Sequence, residues 1–250
     1  MLELKNVTAA YRRDHPVLKG IDLIAHSGEI TALLGQNGSG KSTLLHTVSG
    51  DIPHTGDILC DGKPLTSLSP TERAARLAFL PQRLPAPALS VRETVVMGLF
   101  PQCARPGAAE WQQVAEKLAL LDIAALADRP VNTLSGGERQ KVFLALTLLR
   151  GADVLLLDEP ATYADAPFTR RLYALLQEER DRGRTVLLAM HDVGAALELA
   201  DRIIVLANGS VAFDGTPHEA LAQEIPEKQF GLTRYVAKRD EKTAYFFRYR

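Results

Sequence analysis

Residues 35–42 read Gly35-Gln36-Asn37-Gly38-Ser39-Gly40-Lys41-Ser42, a glycine-rich turn closed by a lysine and a hydroxyl. This is the pattern G-x-x-x-x-G-K-[ST], and it stands between an apolar run and a helical pattern, the context in which that pattern binds phosphate. Glycines let successive backbone N–H groups curl around one anion, and the helix beginning near Lys41 adds the positive end of its dipole. Lys41 is expected to reach the β- and γ-phosphates of a nucleotide, and the Ser42 hydroxyl to ligate Mg2+, a hard cation that takes oxygen ligands. Gly35, Asn37, Gly38, Ser39, Gly40 and Thr43 complete the candidate nucleotide-binding set.

A second group of polar residues sits at the ends of apolar runs. The stretch 154–159 is Val-Leu-Leu-Leu-Asp158-Glu159, a strand ending in two carboxylates at the sheet edge where parallel α/β folds bind ligands. Asp158 is placed to hold Mg2+ directly or through water. Glu159, facing the other side of the strand, is placed to polarise an attacking water. His191 ends another apolar run and could contact the γ-phosphate or position the water, while Gln82, after the run 78–80, offers an amide oxygen to Mg2+ or water. Alone, an Asp-Glu-Pro turn cap, a structural histidine and an ordinary glutamine would be the plainer readings. Their shared position at strand ends of one sheet, together with the phosphate loop, joins them into a site.

Leu134-Ser135-Gly136-Gly137-Glu138-Arg139-Gln140 supplies a capping serine and two glycines at the start of a long helix, a second anion-seeking terminus. Two such termini and one γ-phosphate suggest that each nucleotide uses the loop of one subunit and the second terminus of another.

The elements that must position these residues follow from periodicity. Strands are expected near 2–7, 21–25 and 29–34, and a helix from Lys41 to about 49. Short strands at 57–60 and 78–80 flank Asp61-Gly62-Lys63-Pro64, whose Asp-Gly pair signals a hairpin turn. Ser69-Pro70-Thr71-Glu72 has the form of a helix start. Within 83–133, prolines at 85, 87, 101, 106 and 130 punctuate apolar-periodic stretches at 91–99 and 111–121, which reads as an inserted helical subdomain. Helices at 136–149, 167–180 and 193–200 then alternate with apolar strands at 154–157, 185–189 and 203–206, before an Asn208-Gly209 turn into 211–213. Such alternation implies an α/β fold whose mostly parallel sheet is covered on both faces.

With 250 residues, 46% of them hydrophobic, the chain can bury one core with a subdomain. Lys plus Arg number 29 against 30 Asp plus Glu, so no global positive field attracts nucleic acid or anionic lipid. Cys60 and Cys103 lie far apart and build neither a disulfide framework nor a thiol zinc site. The N-terminus lacks the pattern of a secretory signal and no apolar run reaches about 18 residues, so a cytosolic location is expected.

Taken in order, these motifs resemble those of the ATP-binding-cassette (ABC) ATPases over essentially the first 220 residues. Residues 35–42 look like the Walker A loop, Gln82 the Q-loop, 134–140 the family signature, 154–159 Walker B and His191 the switch histidine. Tyr11 sits where the family places an adenine-stacking aromatic. Asp165 falls at the end of the D-loop, although Ala161-Thr162-Tyr163-Ala164 departs from the common Thr-Ser-Ala-Leu. The resemblance implies a single P-loop ATPase domain with a core at 1–82 and 134–220, an antiparallel β subdomain, a helical subdomain at 83–133 and an extension at 221–250. It also implies ATP and Mg2+ as ligands, and a head-to-tail dimer holding two ATP molecules between Walker A and the signature residues Ser135, Gly136 and Gly137. Transmembrane permease subunits would dock in a groove between Gln82 and the helical insertion, on the cytoplasmic face of a bacterial inner membrane, served indirectly by a substrate-binding protein.

The stretch Arg73-Ala-Ala-Arg76-Leu-Ala-Phe-Leu-Pro81-Gln82 and the stretch 91–98 resemble subunits of importers for iron-siderophores, haem and vitamin B12. Zinc, manganese and other importers stay open, as does a cassette ATPase serving assembly or regulation. A DNA-maintenance ATPase is excluded, since those interrupt the cassette with coiled coils or zinc modules. The alternating Tyr245-Phe246-Phe247-Arg248-Tyr249-Arg250 suits an edge strand better than a membrane-surface anchor.

Overall fold

The structure, a computed structural model, describes residues 1–12, 15–103, 105–239 and 242–249. From the N-terminus, β1 (Leu2–Ala9), β2 (Leu18–Ala25), β3 (Glu29–Leu34), α1 (Lys41–Ser49), β4 (His54–Cys60) and β5 (Lys63–Pro64) lead into α2 (Pro70–Arg76) and β6 (Leu77–Leu80). Next come α3 (Val91–Val96), α4 (Ala108–Leu120), α5 (Gly136–Leu149), β7 (Val154–Asp158), α6 (Ala166–Asp181), β8 (Thr185–Ala189), α7 (Val193–Leu199), β9 (Arg202–Ala207) and β10 (Ser210–Gly215). The chain continues through α8 (Pro217–Ala222) and α9 (Ile225–Phe230) to β11 (Leu232–Arg239) and β12 (Lys242–Tyr249).

The central sheet has the order β10-β9-β3-β8-β7-β6, parallel except for β10, which returns antiparallel to β9 through the Asn208-Gly209 turn. Its strands are apolar along their length because both faces are covered. Ile30, Leu155, Leu157, Val186, Leu188 and Val205 pack on the face that carries α5, α6 and α7. Their strand neighbours Leu33, Leu156, Leu187 and Ile204 turn to the opposite face and pack with Leu44, Leu45 and Val48 of α1. A second sheet, β2-β1-β4-β5, is antiparallel throughout and closes over that side. Crossover connections thus bring the carboxyl ends of β3, β6, β7 and β8 to one edge, where the polar residues singled out in the sequence are found.

One expectation needs correction. The Asp61-Gly62 hairpin joins β4 to the two-residue β5, whereas 77–80 pairs in parallel with β7 in the other sheet. A turn signal is local, but the strand after a turn is chosen by which apolar face must be buried. The edge strand expected near the C-terminus is β12, which pairs with β11 alone in a separate two-stranded sheet; Arg250 lies outside the described residues. In 83–133 the described residues hold α3, α4 and short 3-10 turns, with one isolated bridge, Ser90 to Pro130.

Candidate functional site

The loop after β3 owes its shape to three glycines with positive φ, a conformation that disfavours any side chain: Gly35 (φ 154°), Gly38 (78°) and Gly40 (109°). At Gly35 a side chain would collide with Ser39 and lie 2.5 Å from the Leu206 carbonyl oxygen, so the position tolerates glycine only. Among the described residues, the backbone N–H groups of Asn37, Gly38, Gly40, Lys41 and Ser42 meet no protein acceptor, while that of Ser39 is spent on the Gln36 carbonyl at 3.1 Å. Unpaired donors gathered at one helix start form a nest for an anion.

Lys41 is buried, 5% exposed, and its Nζ donates to the carbonyls of Gly35 (2.7 Å) and Gln36 (3.3 Å). Burial pulls its pKa down, and the negative charges of Glu159 and Asp158 oppose that pull. The Thr43 hydroxyl donates to the hydroxyl of Tyr11 at 3.4 Å, which places the exposed Tyr11 ring beside the loop.

Asp158, the last residue of β7, is fully buried, and neither carboxylate oxygen has a hydrogen-bond partner of good geometry. Burial pushes its pKa up; the nearby Ser42 hydroxyl partly offsets this and the Glu159 charge adds to it. An orphaned, dehydrated carboxylate beside a serine hydroxyl costs free energy that an oxygen-seeking cation would relieve. The donor set therefore fits Mg2+.

Glu159 follows the strand with φ 52°, a conformation that costs a non-glycine residue about 1–3 kcal/mol and that tends to occur at functional positions. Its side chain is 9% exposed and receives two partners from other strand ends. The amide nitrogen of Gln82 donates to Oε2 at 2.8 Å, and His191 Nε2 meets Oε1. Thr162 Oγ1 adds a longer contact to Oε2 at 3.4 Å while donating to the Glu159 carbonyl at 2.9 Å. Gln82, Glu159 and His191, separated by 77 and 32 residues, thus converge because β6, β7 and β8 are adjacent and parallel.

The start of α5 is capped within its own chain. Ser135 Oγ accepts the Glu138 N–H at 3.3 Å and the Glu138 carboxylate accepts the Ser135 N–H at 2.8 Å, a capping box opening α5. The Ser135 hydroxyl holds the Glu138 carboxyl below the usual carboxylate range. Ser135, Gly136 and Gly137 line neither the cavity at residues 35–39 nor the one at Glu159 and His191, so within one chain they belong to neither. Asp165 likewise stands apart: its Oδ1 accepts the Phe168 N–H at 2.8 Å and caps α6.

Three contacts here escaped the sequence reading. Tyr163, 63% exposed, lays its ring against Gly136, where an added Cβ would sit 3.7 Å away. Gln140, buried, donates to the Pro160 carbonyl at 3.1 Å and ties α5 to the loop that follows Glu159. Gln36 donates to the Gln229 carbonyl at 3.0 Å. A buried glutamine in an apolar helix was a legible signal for the second; nothing local signals the other two.

A family model described as "ABC transporter" matches residues 18–162. The hemin import ATP-binding protein HmuV of Streptomyces coelicolor is 40% identical over 84% of this chain and 76% of its own length. The iron(3+)-hydroxamate import ATP-binding protein FhuC of Bacillus subtilis is 34% identical over 88% and 84%. Among solved structures, a dimeric ATP-binding cassette in a post-hydrolysis state bound to ADP and Pi superposes with a TM-score of 0.79 at 28% identity, covering 87% of this chain and 99% of that one. A structure described as an inward-facing metal-chelate type ABC transporter gives 0.79 at 26% identity, over 98% and 96%.

Proposed function

The chain belongs to the ABC transporter family as an ATP-hydrolysing subunit of an importer, and from that premise we propose that the cargo it energises is an iron chelate or related complex: a ferric siderophore, haem or cobalamin. Support for the cargo is the similarity to relatives named for hemin and iron(3+)-hydroxamate import. No pocket of this chain need touch cargo, because its chemistry is confined to nucleotide. The test is reconstitution of the chain with its permease in vesicles. ATP turnover should rise when the binding protein is loaded with haem or a ferric hydroxamate, and stimulation by zinc or manganese alone would overturn the reading.

The observation that carries the catalytic reading is the convergence of Gln82 and His191 on Glu159, next to the partnerless Asp158. The phosphates of ATP lie in the nest of residues 35–42, with Lys41 turning from the loop carbonyls to the β- and γ-phosphates, and Tyr11 stacks on adenine. Ser42 and Asp158, with Gln82, would hold Mg2+, which supplies charge neutralisation on the phosphates. Glu159 accepts the proton of a water as it attacks the γ-phosphorus, the bond from that phosphorus to the β–γ bridging oxygen breaks and ADP leaves with the electron pair, and His191 orients Glu159 and that water.

The site is completed in trans. Cassettes of this family dimerise and join transmembrane domains, as the related structures do. In a head-to-tail dimer, Ser135, Gly136 and Gly137 of one copy would face the γ-phosphate held by the other, with Asp165 capping the helix beside that interface. We therefore expect Ser135→Ala to leave ATP binding by the isolated chain unchanged, as read by calorimetry, and to lower hydrolysis about tenfold or more, since a phosphate contact is worth about 1.5–3 kcal/mol. Equal loss of binding and hydrolysis would contradict a composite site.

Domain roles follow: 1–82 and 134–220 form the nucleotide-binding core and 83–133 the insertion that receives the permease. Leu89, Met97, Phe100 and Trp111 are exposed on that insertion, as apolar groups awaiting a partner would be. Among the described residues no helix is long and apolar enough to cross a membrane, so attachment at the cytoplasmic face rests on that groove.

A further inference from the structure

The C-terminal segment touches the phosphate loop and, separately, the helix that follows His191. On one side, Gln36 of the phosphate loop donates to the carbonyl of Gln229 in α9, and Lys228, Gln229 and Phe230 share with residues 35–39 a cavity of about 290 Å3. On the other, β12 lies against α7, and the Phe247 ring stands where a Cβ added to Gly194 would meet it at 3.6 Å. Gly194 is in the first turn of α7, whose cap Asp192 accepts the Ala195 N–H at 3.0 Å and directly follows His191. Phe247 is half-buried against the main core, whereas Phe246 points outwards, 58% exposed.

Between these two contacts the segment is cross-tied. Arg234 of β11 pairs with Glu227 of α9 at 3.1 Å and donates to the Leu221 carbonyl of α8 at 2.9 Å. Ile225 and Leu232 are anchored in the core, and Gly231 (φ 65°) turns the chain sharply from helix to strand. Two short helices and a hairpin so joined transmit position better than a free tail, because packed side chains resist small displacements.

We propose that residues 217–239 and 242–249 form a clamp that holds the phosphate loop and the start of α7 in one frame, with Phe247 as a positioning residue for His191. The inference rests on the catalytic reading of His191 given above. By fixing α7 at its first turn, Phe247 fixes the direction in which His191 approaches Glu159; α9, through Gln229, fixes the loop that delivers the γ-phosphate to them. A geometric error of this kind affects turnover more than nucleotide affinity.

The test uses the full chain. Phe247→Ala is expected to lower kcat about tenfold while ATP affinity and KM stay within about twofold. Phe247→Leu, which keeps apolar volume over Gly194, should restore most of that loss, and Phe246→Ala should turn over normally. In a His191→Ala background, Phe247→Ala should cause no further loss, because a residue acting through His191 has nothing left to position. An equal fractional loss in that background, or full turnover in Phe247→Ala, would overturn the clamp while leaving the role of His191 standing. Wild-type turnover in His191→Ala alone would instead overturn the catalytic reading and the clamp with it.

Discussion

Glu159→Gln is expected to bind ATP as tightly as the wild-type chain and to hydrolyse it at least ~100-fold more slowly, the scale of a positioned general base. Glutamine preserves the length of the side chain and leaves an oxygen for the Gln82 amide, which donates to Glu159 at 2.8 Å. What disappears is the negative charge and the capacity to take a proton from water. The left-handed backbone at φ 52° is no harder for glutamine than for glutamate, so folding should not be the cause of the loss. With hydrolysis blocked, the γ-phosphate persists and an ATP-bound dimer should accumulate, visible by sedimentation. Measurement of phosphate release in a single turnover isolates the chemical step; a rate near wild type would remove Glu159 from the role of base.

Lys41→Ala should act one step earlier, abolishing measurable ATP affinity by calorimetry. The ammonium sits 5% exposed, between the loop carbonyls on one side and the charges of Asp158 and Glu159 on the other. Its removal deletes a charge-assisted contact to phosphate worth about 1.5–3 kcal/mol and leaves the two carboxylates uncompensated against an anionic ligand. Both effects weaken binding, and together they exceed about a hundredfold. Unchanged affinity would contradict the placement of phosphate in this loop.

The elements that hold these residues were legible where burial is one-sided or complete. β7 and β8 carry apolar runs of four residues and β3 is apolar but for Glu29 and Thr31, while α1 and α5 open on glycine- and serine-containing starts whose chemistry is local, so their bounds follow closely from composition. Pairing was less visible. β6 is four residues long, and only the apolar face of β7 selects its neighbour, a choice made across 77 residues of chain and invisible to the Asp61-Gly62 turn beside it.

Site residues separate along the same line. Gln82, Glu159 and His191 could be gathered by reasoning because each ends a strand of one sheet. Tyr163, in the irregular segment after Glu159, and Gln229, in the short helix α9, could not, since they reach Gly136 and the phosphate loop through tertiary packing alone. The helices α8 and α9 have six residues each, too few for periodicity to register. Their signals were of another kind: Thr216 and Glu219 form a capping box around Pro217, and Gly231 ends α9 in the left-handed conformation.

The grip of Lys41 on the carbonyls of Gly35 and Gln36 bears on kinetics as well as on affinity. Held by its own lysine, the loop keeps its curl before any ligand arrives, and the entropy of shaping it is lost when the chain folds instead of when it binds. Association then requires one side chain to exchange one set of oxygens for another. Such a site should capture nucleotide at a rate governed by encounter, and differences in residence time among nucleotides should arise in the dissociation step, where the lysine returns to its resting partners.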